Sequence, residues 1–287
     1  MAKAIYNGVA NVDRKVKQPY RGVSNVSRKV TNGYLGVANV TRQFYTSETT
    51  LGDLAVGTTV FINHRSSDTV FTFKIVHKGN PDPSLYGSEF NESVWLLLDV
   101  GDGNTCVYSN TSKTSGYPES TLNSLISDSD TIKYPFPLSI ENFIKTVNIP
   151  YVKYTWGTSF IPSLTNIEIA YYETDRFVLS WPEIDPEFNG TLKDGALLDY
   201  FASGGSDALF FRFSSSSSNG SNWWTRTTGS DISVSNTYAK AKYVICNSEP
   251  YSIGEKTING SSSYLSKRPC FIFSPEALID ENFYIIA

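Results

Sequence analysis

Asn222-Trp-Trp-Thr-Arg-Thr-Thr228 combines aromatic and β-branched residues without a helical period, and it reads as a β-strand. Neighbouring residues of a strand point to opposite sides. One of Trp223 and Trp224 therefore belongs in the core. The other faces outward or lies beneath loops, in company with Thr225 and Thr227 or with Arg226 and Thr228. On either side lie further strand-like runs: Ala208-Leu-Phe-Phe-Arg-Phe213, Ala241-Lys-Tyr-Val-Ile-Cys246 and Arg268-Pro-Cys-Phe-Ile-Phe273. Between them, Ser214 to Gly220 and the polar stretches 229–240 and 247–267 read as loops. Earlier in the chain, Val60-Phe-Ile-Asn63, Thr69 to Val76 and Ser93-Val-Trp-Leu-Leu-Leu-Asp-Val100 read as strands. Three helical stretches stand between the two strand groups. One is Pro118 to Ile126. The second is capped by Ser139, with Ile140, Phe143, Ile144 and Val147 in an i, i+3, i+4, i+7 stripe that ends before Pro150. The third is Asp194 to Phe201. Strands at both ends with helices between them predict an α+β body.

The first 45 residues are different. Tyr6-Asn-Gly-Val-Ala-Asn-Val-Asp-Arg-Lys-Val16, Tyr20-Arg-Gly-Val-Ser-Asn-Val-Ser-Arg-Lys-Val30 and Tyr34-Leu-Gly-Val-Ala-Asn-Val-Thr-Arg-Gln-Phe44 repeat one unit in register. Gly and Val disfavour helix. Ala10-Asn11, Ser24-Asn25 and Ala38-Asn39 fall where two-residue hairpin turns belong. Units this small bury too little alone, so the arm is expected to pack on its own copies or on a partner. Tyr6, Tyr20, Tyr34, Arg14, Arg28 and Arg42 are its candidate attachment and oligomerisation residues. The expected division is thus an all-β repeat arm over 1–45 and a body over 46–287, with 46–55 as a linker.

The chain has 287 residues, 40% hydrophobic and 18% charged, enough for an ordinary core. The net charge of −4 hides an asymmetry. The arm carries Lys3, Arg14, Lys15, Lys17, Arg21, Arg28, Lys29 and Arg42 against the single acid Asp13, while the remainder is acidic. The basic residues recur at fixed strand positions without forming a run, so nucleic acid is not the expected partner. The 3 cysteines, Cys106, Cys246 and Cys270, are scattered and make no disulfide framework. The first residues lack the apolar core of a signal peptide, and no window is apolar enough to span a membrane. The sequence therefore predicts synthesis in a cytoplasm and no membrane insertion.

Seven segments in order carry a resemblance. They are Ser93-Val-Trp-Leu-Leu-Leu98, Ser120 to Ile126, Val147-Asn-Ile-Pro-Tyr151, Phe177-Val-Leu-Ser-Trp-Pro-Glu183, Lys193 to Phe201, Asn222 to Thr228 and Lys267-Arg-Pro-Cys-Phe-Ile-Phe273. Together they resemble the DUF6273 domain family, which is common in phage and prophage tail-associated proteins. Thr225 stands where that family usually has Leu, and Cys270 where it usually has Ala. The resemblance implies a C-type-lectin-like fold, related in shape to the formylglycine-generating enzyme and to phage receptor-binding domains. The N-terminal repeats resemble those that precede such domains in tail proteins. The resemblance implies a tail-associated adhesion protein, with other tail or baseplate proteins and a host cell-surface receptor as partners. A homo-oligomer is expected, a trimer above all, located in the virion tail.

No catalytic or cofactor motif competes with this reading. His64 and His77 lack metal-ligand spacing, and Asp99-Val-Gly-Asp-Gly-Asn104 lacks the spaced ligands and final Glu of a calcium loop. No metal or cofactor is expected. An enzyme on the formylglycine-generating scaffold, working through Cys246 and Cys270, is one rival. A structural baseplate part without a host ligand is another. The residues expected to face a receptor are Trp223, Arg226, Asn236, Tyr238, Tyr251, Asn259 and Tyr264, because Tyr and Asn on loops give rigid contact area and adaptable hydrogen bonding.

Overall fold

The computed structural model describes the chain except residues 1–5, 10–11, 16–19, 24–25, 30–31, 38–39, 47–48, 100–105, 111–113, 128–134, 158–163, 191, 204–221, 229–239, 246–251, 258–264 and 287. Two compact units are present, Met1–Thr49 and Thr50–Ala287.

The first unit contains three antiparallel hairpins, each a separate two-stranded sheet: Tyr6–Val9 with Val12–Lys15, Tyr20–Val23 with Val26–Lys29, and Asn32–Val37 with Val40–Thr46. Each sequence repeat is one hairpin, and corresponding positions share a register. The innermost pairs are Val9 with Val12, Val23 with Val26 and Val37 with Val40. The residues expected to turn lie between these pairs, outside the described ones. Tyr6 stands opposite Lys15, Tyr20 opposite Lys29 and Tyr34 opposite Gln43. Arg14, Arg28 and Arg42 stand opposite Asn7, Arg21 and Leu35. The third hairpin is longer and shifts register between Gly33 and Tyr34.

The second unit is α+β and rich in sheet. Its centre is a five-stranded antiparallel sheet in the order Arg176–Val178, Pro269–Phe273, Val94–Leu98, Val70–Lys78, Thr59–Asn63. Val94-Trp-Leu-Leu-Leu98 is buried throughout, as a central strand covered on both faces must be. The alternation divides the core. Val94, Leu96 and Leu98 join Phe73, Phe136, Phe271 and Phe273 on one side, whereas Trp95 and Leu97 join Tyr86, Phe177, Trp224 and Ile272 on the other. A second sheet of three strands has the order Trp223–Thr228, Lys240–Ile245, Ser252–Thr257. A long hairpin joins Val147–Trp156 to Leu164–Thr174.

Several expectations are corrected. The segment expected to be a linker is docked from Thr50 onward. Leu51 is fully buried, its N–H donates to Ala277 O at 2.7 Å, and Lys78 Nζ donates to Gly52 O and Leu54 O. The second helix shrinks to Leu138–Glu141. Ile140 still enters the core, but Ile144 bridges to Phe273, Lys145 N donates to Ile272 O, and Val147 begins a strand. Open hydrogen-bonding positions along the central sheet, met by β-branched residues, outweigh the helical stripe. Pro150 lies inside that strand. Of the third helix only Asp199–Ala202 is helical, whereas Thr121–Ser127 forms a helix after a 3-10 turn at Tyr117–Glu119. The stretch 247–267, read as loop, supplies the strand Ser252–Thr257. The expected strand Ala208–Phe213 lies outside the described residues.

Candidate functional site

The strand Trp223–Thr228 is buried along its whole length. Of the two alternatives for the second tryptophan, facing outward or lying covered, the first is thereby excluded. Trp223 is 1% exposed and lies under the Arg268 guanidinium, 5.2 Å from its ring centre. Trp224 packs edge-on against Tyr108 and Tyr243, and its Nε1 donates to Cys106 O at 2.8 Å. Successive side chains of the strand point to opposite faces, and all of them are buried, so both faces are covered.

Arg226, expected at the receptor face, is fully buried and is the hub of the body. All five of its N–H donors are used. Nε donates to Pro150 O at 2.9 Å. Nη1 donates to Val178 O at 3.1 Å and Glu183 Oε2 at 2.7 Å. Nη2 donates to Glu183 Oε1 at 2.5 Å and Asp194 O at 2.8 Å. A guanidinium fork suits such planar, bidentate holding, which an ammonium cannot reproduce. The Phe177 ring stands 5.4 Å from Cζ.

Glu183 is equally engaged. It sits in the short helix Trp181–Ile184, entered through Pro182. Ser180 N donates to Oε2 at 2.7 Å, and the Tyr86 hydroxyl donates to Oε1. Tyr86 OH in turn accepts from Ala196 N at 3.2 Å. Burial, with the Glu183 carboxylate second, raises the Tyr86 pKa well above its usual value. Gly195 is needed for closeness: a Cβ there would stand 2.2 Å from Ser180 Oγ and 2.7 Å from Glu183 Cγ.

Asp194 completes the cluster. Thr227 Oγ1 donates to its Oδ1 at 2.9 Å, and Trp181 N donates to Thr227 Oγ1 at 2.7 Å. Oδ2 has no hydrogen-bond partner among the described residues. Burial pushes this carboxyl up to about 7, against the opposing pull of Arg226. Chemically, the hub is closed. Both Glu183 oxygens are saturated by donors, so it acts as a clamp joining Pro150, Val178, Glu183, Asp194 and the strand of Arg226.

That clamp roots the three-stranded sheet whose connecting segments carry the other receptor candidates. Asn236, Tyr238, Tyr251, Asn259 and Tyr264 all lie outside the described residues. His77 is 6% exposed, with Nδ1 2.9 Å from Asp199 Oδ2, and burial lowers its pKa against the opposing effect of Asp199. Cys106 and Cys270 are buried, and burial pushes the Cys270 thiol well above its usual range. Cys246 lies outside the described residues. Among the described residues, no group of three His, Cys, Asp or Glu is placed to hold a metal ion, and no helix is long and apolar enough to cross a membrane.

Residues 91–275, more than half of the chain, match the family described as DUF6273, a domain of unknown function, and the chain belongs to that family. No curated protein and no solved structure matches the chain. Sequence reasoning missed Glu183, Asp194 and Tyr86 as partners of one cluster. A signal was present: an arginine between threonines, two residues after a tryptophan pair in a strand, is a candidate for burial, and a buried arginine demands a carboxylate.

Proposed function

We propose that the protein is a tail-associated structural and adhesion protein of a phage or related particle. Its N-terminal hairpins attach or oligomerise it, and its body, of C-type-lectin-like architecture, displays a receptor-binding face. The observation that carries this reading is the pairing of three serial hairpins with a separate body whose binding-type segments spring from a rigidly clamped sheet. Isolated two-stranded hairpins are marginal in water, so three of them in series call for partners, with a trimer of the chain as the favoured assembly. The body closes on itself, with Phe61 N–H donating to Phe283 O and Ile285 N–H to Phe61 O. Its connections are thereby free to serve as recognition elements on a fixed frame.

The test uses the full chain and a variant lacking residues 1–45. The truncated protein should keep the melting transition of the body and lose oligomerisation in sedimentation velocity. In parallel, Tyr238→Ala, Tyr251→Ala and Tyr264→Ala should weaken binding to host cells while changing stability by no more than about 0.5 kcal/mol, the cost of a truncation away from core features. An unchanged assembly state after truncation would refute the attachment role. Normal host binding by all three tyrosine variants would refute the receptor face assigned to these segments and favour a purely structural tail part.

A further inference from the structure

A groove lies between the loop that follows Val70–Lys78 and the long hairpin. It is lined by Ser84, Leu85, Tyr86, Glu89, Asn148 and Tyr171, among others, and is a shallow, open depression of about 400 Å³, within the roughly 300–1,000 Å³ of small-molecule sites. Its floor is rigid. Tyr86 is 3% exposed, its ring packs edge-on against Phe90 and Trp95, and its hydroxyl is held by Glu183.

The walls are also fixed in advance. Asn80 Nδ2 donates to Tyr86 O and Gly87 O, Asp82 N to Asn80 Oδ1, and both Ser84 N and Oγ to Asp82 Oδ1. Lys145 Nζ ties this loop to the root of the hairpin through Glu89 O at 2.6 Å and Glu92 O at 2.8 Å. Asn148 N donates to Glu89 Oε1 at 3.2 Å, which ties the carboxylate to the root of the hairpin.

Against this frame stands Tyr171, 54% exposed, one of the few large exposed hydrophobic side chains among the described residues. An exposed ring beside a planar amide and a planar carboxylate presents one apolar face and several donors and acceptors at fixed spacing. The lining contains no Lys or Arg, and Glu89 repels anions. We propose that this groove is a binding site for an uncharged pyranose, whose C–H face lies on Tyr171 and whose hydroxyls bond to Glu89 and the Asn148 side chain. As a receptor subsite it rests on the adhesion reading, and it names a neutral saccharide as the ligand class.

Full-length protein is screened on an array of bacterial glycans, then titrated by saturation-transfer NMR and calorimetry with the methyl glycosides of glucose, galactose, N-acetylglucosamine and glucuronic acid. A neutral glycoside should bind and the glucuronide should not. Tyr171→Ala and Asn148→Ala, at exposed positions, should bind at least tenfold more weakly with unchanged melting. Gly87→Ala offers a second route: its Cβ would stand 2.1 Å from Glu89 Oε2, so the flexible carboxylate must swing away and affinity should fall as in Glu89→Gln. No saturable binding to any array glycan or glycoside, or equal binding by Tyr171→Ala and wild type, would overturn the proposal. Host-cell binding measured alongside separates the two readings. Cell binding without glycoside binding removes only the groove, and glycoside binding without cell binding removes only the adhesion reading.

Discussion

Arg226→Met keeps much of the side-chain volume and removes every donor of the hub. Glu183 is then a buried carboxylate holding only the Ser180 N–H and the Tyr86 hydroxyl, while Pro150 O, Val178 O and Asp194 O lose their donor. Breaking a buried ion pair from one side costs about 3–5 kcal/mol. Each orphaned buried carbonyl adds about 1–3 kcal/mol where no water reaches it, so the total should lie at or above the top of the first range. For a unit of this size, 1 kcal/mol corresponds to roughly 2–4 °C in Tm, which places the loss from the pair alone at roughly 6–20 °C. Thermal unfolding followed by circular dichroism and by calorimetry reads the shift. Glu183→Gln in the Arg226→Met background removes the stranded charge, so the double variant should be less destabilised than the sum of the single variants by about 0.5–3 kcal/mol. Arg226→Lys should also destabilise, because three donors on a point charge cannot replace the fork. A Tm within about 2 °C of wild type, which corresponds to 1 kcal/mol or less, or additive single variants, would refute the clamp.

Asp194 should give the body a pH-dependent stability. Its folded pKa is raised from 3.8 to about 7, so the folded state holds the proton more tightly and stability should fall as pH rises through that window, then level off above it. Asp194→Asn should remove this slope, and its stability relative to wild type should improve between about pH 5 and about pH 8 in paired melting curves; a parallel pH course for the two proteins would count against it. Trp224→Ala should cost about 3–5 kcal/mol by denaturant unfolding, because the indole is fully buried and its N–H is bonded to Cys106 O; a loss near that of a surface truncation would show the site to be open.

The strands are legible where both faces are buried. Val94–Leu98 and Pro269–Phe273 are unbroken apolar runs, and so the sequence marks them within one or two residues. The hairpin Val147–Trp156 with Leu164–Thr174 is hidden. Ile140, Phe143, Ile144 and Val147 imitate a helical face, and Pro150 argues against a strand interior. That proline is tolerated because the strand pairs on one side with Leu164–Thr174 alone, while the carbonyl of Pro150 is taken by Arg226. Ser252-Ile-Gly-Glu-Lys-Thr257 resembles a loop because its hydrophobic content is low. Its pairing with Lys240–Ile245 rests on backbone register, Gly254 lying against the Tyr243 ring and Glu255 meeting Lys240. Of the receptor candidates, only Trp223 and Arg226 are described, and both are interior. Their side-chain types suit an interface as well as a core, and only the tertiary packing around the strand decides between the two.

The hub and the groove are physically continuous through one residue. The Tyr86 hydroxyl binds Glu183, the partner of Arg226, while the same residue is part of the groove lining. A buried ion pair is a poor way to gain stability, since apolar residues of similar volume often do as well. What it supplies here is position. Five donors on one rigid fork fix three carbonyls and one carboxylate from four separate segments, and that carboxylate fixes Tyr86. An apolar core would hold the same segments with tolerance for sliding, whereas a weakly binding groove depends on walls that are already in place, because ordering them on binding would subtract from a small affinity. The same fork also anchors the strand from which the segment 229–239 departs. The chemistry of Arg226 is therefore best understood as the common reference point for two surfaces, neither of which it touches from the outside.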